Sequence, residues 1–242
     1  GSEMCIRDRY MKLAWDEDSK RLYETGVSKA VLYPMAKGGT YPKGYAWNGV
    51  SSVKDTPSGA EAKAVYANNS KYLSLLSNEE LGGTVEAYTY PDEFKECDGS
   101  KEVCPGVFMN QQDRKKFGLS YQTILGNDDE MNDHGYKIHL IYGCLASPSA
   151  REHNSINENT EAMSMSWEFD TTPVKTNIVV DGKAIKPISS IEIDSTKLEA
   201  SKLAKLEEIL YGKDPTTTDG SDGVEARLPL PDEVYKILSA EG

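Results

Sequence analysis

The feature that most constrains this chain is the alternation in "EAMSMSWEF" (161–169). Ala162, Ser164, Ser166 and Glu168 fall on one side, and Met163, Met165, Trp167 and Phe169 on the other. A period of two with bulky apolar residues on one side predicts a strand with one buried face. "GYKIHLIYG" (135–143) repeats the pattern, with Tyr136, Ile138, Leu140 and Tyr142 opposite Lys137, His139 and Ile141. "GVSKAVLYP" (26–34), "GGTVEAYTY" (82–90) and "KFGLSYQTIL" (116–125) read as further strands. Turn signals separate them: "AKGGTYPKG" (36–44), "ANNS" (67–70), "GNDDEMNDHG" (126–135) and "DG" (181–182). Many strands with long polar connections predict a mainly β chain, an antiparallel β-sandwich or barrel.

Two stretches read as helix. "PDEFKEC" (91–97) suits one or two turns, with Pro91 leading and acidic residues behind it. "DSTKLEASKLAKLEEILYG" (194–212) places Leu203, Leu206 and Leu210 on one stripe, joined by Ile209. Thr196 and Glu199 have the spacing of a capping box, and Gly212 supplies a stop. Residues 213–226 are rich in Thr, Asp, Gly and Pro and read as a flexible loop. "RLPLPDEVYKIL" (227–238) predicts an extended stretch running into a short C-terminal helix. The expected organisation is a β-sandwich over 11–197, with a helix, loop and tail (198–242) packed on the same domain.

Composition excludes some functions. The net charge is −12, and Lys and Arg are scattered with no basic run. Tight nucleic-acid binding needs a basic stripe to replace phosphate counterions, so it is not expected. The longest apolar runs span a few residues, as in "AVLYP" (30–34), far from the roughly 20 of a membrane-spanning helix. No membrane anchor is expected.

Residues that carry chemistry are sparse. There is no glycine-rich phosphate loop, nucleophile elbow or His-Glu-x-x-His, and an enzyme or a cofactor is not expected. His134 and His139 lie an odd number of residues apart, so on one strand they face opposite sides, which argues against a shared metal. Asp128, Asp129, Glu130 and Asp133 lack the ligand order of an EF-hand and read as a solvated hairpin loop. Cys97, Cys104 and Cys144 lack zinc-site spacing and read as mostly buried free thiols, with a Cys97–Cys104 loop disulfide as the alternative. Fourteen tyrosines against four phenylalanines suit either strand surfaces or half-wet interfaces.

An ordered set of segments then carries a resemblance. "MKLAWDEDSKRLYETGVSKAVLYP" (11–34), "GYAWNGVSSVKDTPSGAEAKAVYANNSKYLSLLS" (44–77) and "GGTVEAYTYPDEF" (82–94) come first. "QQDRKKFGLSYQTILGND" (111–128), "DHGYKIHLIYGCLASPS" (133–149), "SWEFDTTPV" (166–174), "IEIDSTKL" (191–198), "LEEILYG" (206–212) and "RLPLPDEV" (227–234) follow in order. Together they resemble the major tail protein, or tail tube protein, of prophages and siphophages of Gram-positive bacteria. The resemblance implies an antiparallel β-sandwich of tail-tube type with a flanking helix. It implies homohexameric rings stacked into a tube that conducts double-stranded DNA without gripping it. Its implied partners are the tape-measure, tail terminator and distal tail proteins, and its implied place is the virion tail, assembled in the bacterial host cytoplasm. The other reading is a β-sandwich binding or adhesion module of a virion or cell surface.

For ring stacking, the long loop 35–62 is the expected element, with Tyr41, Tyr45 and Trp47 as its anchors. Residues 1–10 match nothing in the resemblance. "GSEMCIRDR" (1–9) reads as a translated transposase-end sequencing adapter, expected to be disordered, so Cys5 is not expected to be natural.

Overall fold

A computed structural model of the chain describes residues 12–240. The leader reading at 1–10 lies outside the described residues. The fold is mainly β and antiparallel. Its strands are β1 (Leu22–Pro34), β2 (Tyr45–Ala46), β3 (Val50–Gly59), β4 (Ala62–Ala67), β5 (Ser70–Leu76), β6 (Glu79–Ala87), β7 (Lys101–Cys104) and β8 (Val107–Met109). They continue with β9 (Phe117–Asn127), β10 (Met131–Ala146), β11 (Met165–Thr171), β12 (Val179–Val180), β13 (Lys183–Ala184) and β14 (Ser190–Asp194). The helices are α1 (Phe94–Cys97), α2 (Ala200–Tyr211) and α3 (Pro231–Ser239).

The main sheet runs β2-β1-β9-β10-β11-β6-β3, and β14 also pairs with β10. One edge of β10 serves two partners. Lys137–Ile141 pair with β14, and Cys144–Ala146 pair with β11. Gly143 makes the change of partner possible. Its φ is +64°, and a Cβ there would meet the Thr172 carbonyl oxygen at 2.4 Å, so only glycine fits the bend. The sheet then curls until β3 lies beside β1.

The curl encloses an aromatic core. Leu32 of β1, Phe117 and Leu119 of β9, Ile141 of β10, and Met165, Trp167 and Phe169 of β11 meet Val85 of β6 there. The 161–169 alternation is thus realised from Met165 onward, while Met163 stays exposed ahead of the strand. The Phe94 ring meets Trp167 at 5.0 Å and Phe117 at 5.6 Å, which anchors α1 as a plug. Such edge-on pairs add about 0.5–1.5 kcal/mol each beyond burial.

The opposite face of β1, β9 and β10 carries the helices. Ile138, Leu140 and Tyr142 of β10 meet Leu203, Leu206 and Leu210 of α2 and Val234 of α3. Ala, Leu, Lys and Glu are strong helix formers, and the leucine stripe gives α2 its buried side. Gly212, at φ +82°, ends it and donates its N–H to the Glu208 carbonyl at 2.9 Å. The start differs from expectation. Thr196 lies in a separate 3-10 turn, Ser195–Lys197, where the Asp194 carboxylate accepts its N–H at 2.9 Å. Leu198 and Glu199 are extended, so Thr196 is too far back to cap α2, and Glu199 makes no side-chain cap. The 213–226 stretch is closed by a Lys213–Val224 bridge and by the Asp222 carboxylate, which accepts the Thr216 and Thr217 N–H groups.

Candidate assembly surfaces

A β-ribbon stands out from the main sheet. β3 and β6 pair from Val50↔Ala87 to Gly59↔Glu79. β4 and β5 continue outward from Ala62↔Leu76 to Ala67↔Ser70. Asn68 and Asn69 form the tip with φ of +49° and +57°, the paired left-handed geometry of a tight hairpin turn that asparagine tolerates. The root packs: Val85 and Ala87 are buried, and Val50 and Val53 lean on the same core. The tip does not. Tyr66 and Tyr72 are each 71% exposed, Leu76 is 72% and Leu75 is 56%. A two-stranded ribbon alone is marginally stable in water, and clustered apolar exposure marks an interaction surface. The "ANNS" turn signal with apolar runs on both sides could have located this hairpin; the expected 35–62 loop stops inside it.

Two of the three expected stacking anchors are buried. Tyr41 is 2% exposed and bridges to Leu228. Its hydroxyl accepts the Gly143 N–H at 2.8 Å, and burial pushes its pKa up to about 12. Trp47 is 3% exposed; its Nε1–H donates to the Thr89 carbonyl at 2.8 Å, and its ring meets Phe94 at 4.6 Å. Both side chains are used inside their own subunit and have no surface for a neighbour. Tyr45 is half-buried on β2, with the Lys43 ammonium 5.5 Å over its ring. The span 35–62 is also not one loop, because Val50–Gly59 is the root strand β3.

Beyond the aromatic core, the same sheet face turns polar. The Glu24 carboxylate accepts from the Thr123 hydroxyl at 2.6 Å and from Lys137 at 3.1 Å, and Lys137 also pairs with Glu192. These partners, the Thr123 hydrogen bond first, hold the Glu24 carboxyl below its ordinary range. His139 stacks on Tyr121 at 4.6 Å, and burial lowers its pKa. The Tyr121 hydroxyl reaches across to Asp55 on β3 at 3.2 Å, tying the ribbon root to the sheet.

The acidic hairpin turn is organised by Asn127, whose Oδ1 accepts the Asp129 and Glu130 N–H groups at 3.1 and 2.5 Å. Asp128 accepts from the Ser19 N–H at 3.3 Å and pairs with Arg21 at 3.3 Å. Among the described residues no three His, Cys, Asp or Glu side chains gather where they could hold a metal ion. His134 lies beside Asn127 at 3.3 Å, away from His139 on the sheet face. Cys97 and Cys144 are buried and Cys104 is exposed, all three as free thiols. Burial pushes the Cys97 thiol up to about 12. No described helix is long and apolar enough to cross a membrane.

No family model matches the chain, and no curated protein matches it.

Proposed function

We propose that this chain is a structural subunit of a phage tail tube, forming six-membered rings that stack around a DNA conduit. The observation that carries this reading is the ribbon, whose root is packed and whose Tyr- and Leu-rich tip stands in water. A second copy is the natural cover, since every subunit of a stack offers the same tip to the same neighbouring surface. Ring-to-ring contact accordingly moves from the 35–62 loop to the ribbon tip at 62–76.

Two further features support the reading. β3 and β14 each carry one sheet edge with no strand partner among the described residues, and such edges are templates for pairing with another chain. Closing them between neighbours makes a continuous barrel without edges. The charge of −12 also suits a conduit. DNA carries about one charge per 1.7 Å, so a basic wall would exchange counterions and hold it, whereas an acidic wall lets it pass.

The test is mass in solution combined with negative-stain microscopy of the full chain. Rings of six or tubes are the expected result. Single chains that bind sugars would favour the adhesion-module reading instead.

A further inference from the structure

A hollow lies where the chain leaves α1, β8 and β10. It encloses about 660 Å³, within the roughly 300–1,000 Å³ of small-molecule sites. Gly99 and Ser100 follow α1, Asn110 and Gln111 follow β8, and Ser149 and Arg151 follow β10. The aromatic rings of the lining, Tyr90 and Phe108, each already carry a cation. The Arg151 guanidinium sits 5.2 Å from the Tyr90 ring centre, and the Lys95 ammonium 3.5 Å from that of Phe108. A flat apolar ligand therefore finds little free ring surface here.

The charged residues of the lining are Lys95, Asp98, Arg114 and Arg151. Asp92, outside the lining, pairs with Lys95 at 3.7 Å. Asp98 serves both guanidiniums: Oδ1 accepts from Arg114 at 3.1 Å, and Oδ2 from Arg151 at 2.6 Å. Oδ2 also accepts the Trp167 Nε1–H at 3.2 Å. One carboxylate thus faces two guanidiniums, which leaves a surplus positive charge in a chain of net charge −12.

Donors are in surplus too. Arg114 spends Nη1 on Asp98 and on the Ala146 carbonyl, at 3.2 Å. Its Nε–H and Nη2 donate to no group among the described residues. The Nε lies beside Gly99, where a Cβ would stand 3.6 Å from it. Arg151 spends Nη2 on Asp98 and Nη1 on the Tyr90 hydroxyl, at 3.4 Å. Guanidiniums pinned in place with N–H groups to spare suit a planar or tetrahedral oxyanion.

We infer that this hollow binds a sugar that carries a carboxylate or a phosphate group. The acid group meets Arg114 and Arg151 and neutralises the surplus charge. Ring hydroxyls meet the Asn110 and Gln111 amides and the Ser149 hydroxyl, which both donate and accept. A neutral sugar lacks the first set of contacts, and a bare anion lacks the second. The inference does not depend on how copies assemble.

Calorimetric titration of the full chain with glucuronate, glucose 6-phosphate, glucose, acetate and inorganic phosphate tests it. At least one acid sugar should bind about tenfold tighter than glucose and than its own bare anion, the scale of one charge-assisted hydrogen bond. Whichever acid sugar binds tighter identifies the acid group. Arg114→Gln should remove the preference for the acid sugar and leave glucose unchanged. Gln111→Glu adds a like charge at an exposed position of the lining, so it should weaken the acid sugar severalfold and spare glucose. It decides the matter if Arg114→Gln does not fold. Acid sugars that bind no better than glucose or the bare anions overturn the inference, as does parent-like affinity in the folded variants. Microscopy of the same samples scores assembly separately. Tubes without acid-sugar binding remove this inference alone; acid-sugar binding without rings or tubes removes the tube reading alone.

Discussion

The root and the tip of the ribbon have similar chemistry and opposite surroundings. At the root, Val85 and Ala87 are sealed against Trp167 and its neighbours. At the tip, Tyr66, Tyr72, Leu75 and Leu76 are largely exposed to solvent. The root holds its geometry because side chains on β1, β9 and β11 fix it from one side. The tip has backbone pairing alone. Only the root finds its cover within the chain.

The widest separation between the two halves should come from the root's support. Trp167→Ala empties the centre of the aromatic cluster and should cost about 3–5 kcal/mol, read as a large fall in Tm. The tip should behave in the opposite way. Tyr66→Ser, Tyr72→Ser and Leu76→Ser together should leave monomer stability within about 1 kcal/mol, because surface changes seldom exceed that. Sedimentation of the same triple variant should show self-association lost. A parent-like assembly would assign the tip no role.

Legibility in the sequence followed the same division. β11 could be read because one face is buried and the other exposed, which imposes alternation, whereas β9 and β10, covered on both faces, could be read from their runs of apolar and aromatic residues. β3 was hidden by Lys54, Asp55, Pro57 and Gly59, which read as loop residues and are exposed in the ribbon. The tip strands are short and carry Ala, Ser and Lys, so only the asparagine turn announced them. Tyr41 and Trp47 looked like loop anchors because local sequence holds no trace of the β10 bend or the α1 plug that bury them. The Thr196–Glu199 spacing matched a capping box, yet Asp194 took the Thr196 N–H first.

Smaller effects sharpen the contrast. Tyr41→Phe removes the acceptor of the buried Gly143 N–H and should cost about 1–3 kcal/mol while leaving assembly unchanged. Thermal melts with sedimentation in parallel would check both halves of that statement. The smallest effect is expected at Glu24. Its folded pKa is below the ordinary 4.5, so its stabilising contribution is complete above that pH and is lost as pH falls through the lowered value. The side chain remains 38% exposed, so solvent screens the pair. Glu24→Gln should slightly flatten the acid limb of the stability curve and leave the neutral range nearly unchanged.

The central claim is that other copies of the chain bury the ribbon tip. Amide hydrogen exchange of residues 62–76, compared between dilute and concentrated full-length chain, measures this directly. Strong protection that appears only on concentration, with the root at 79–87 slow in both samples, is the predicted result. A tip that exchanges equally fast at every concentration would contradict it.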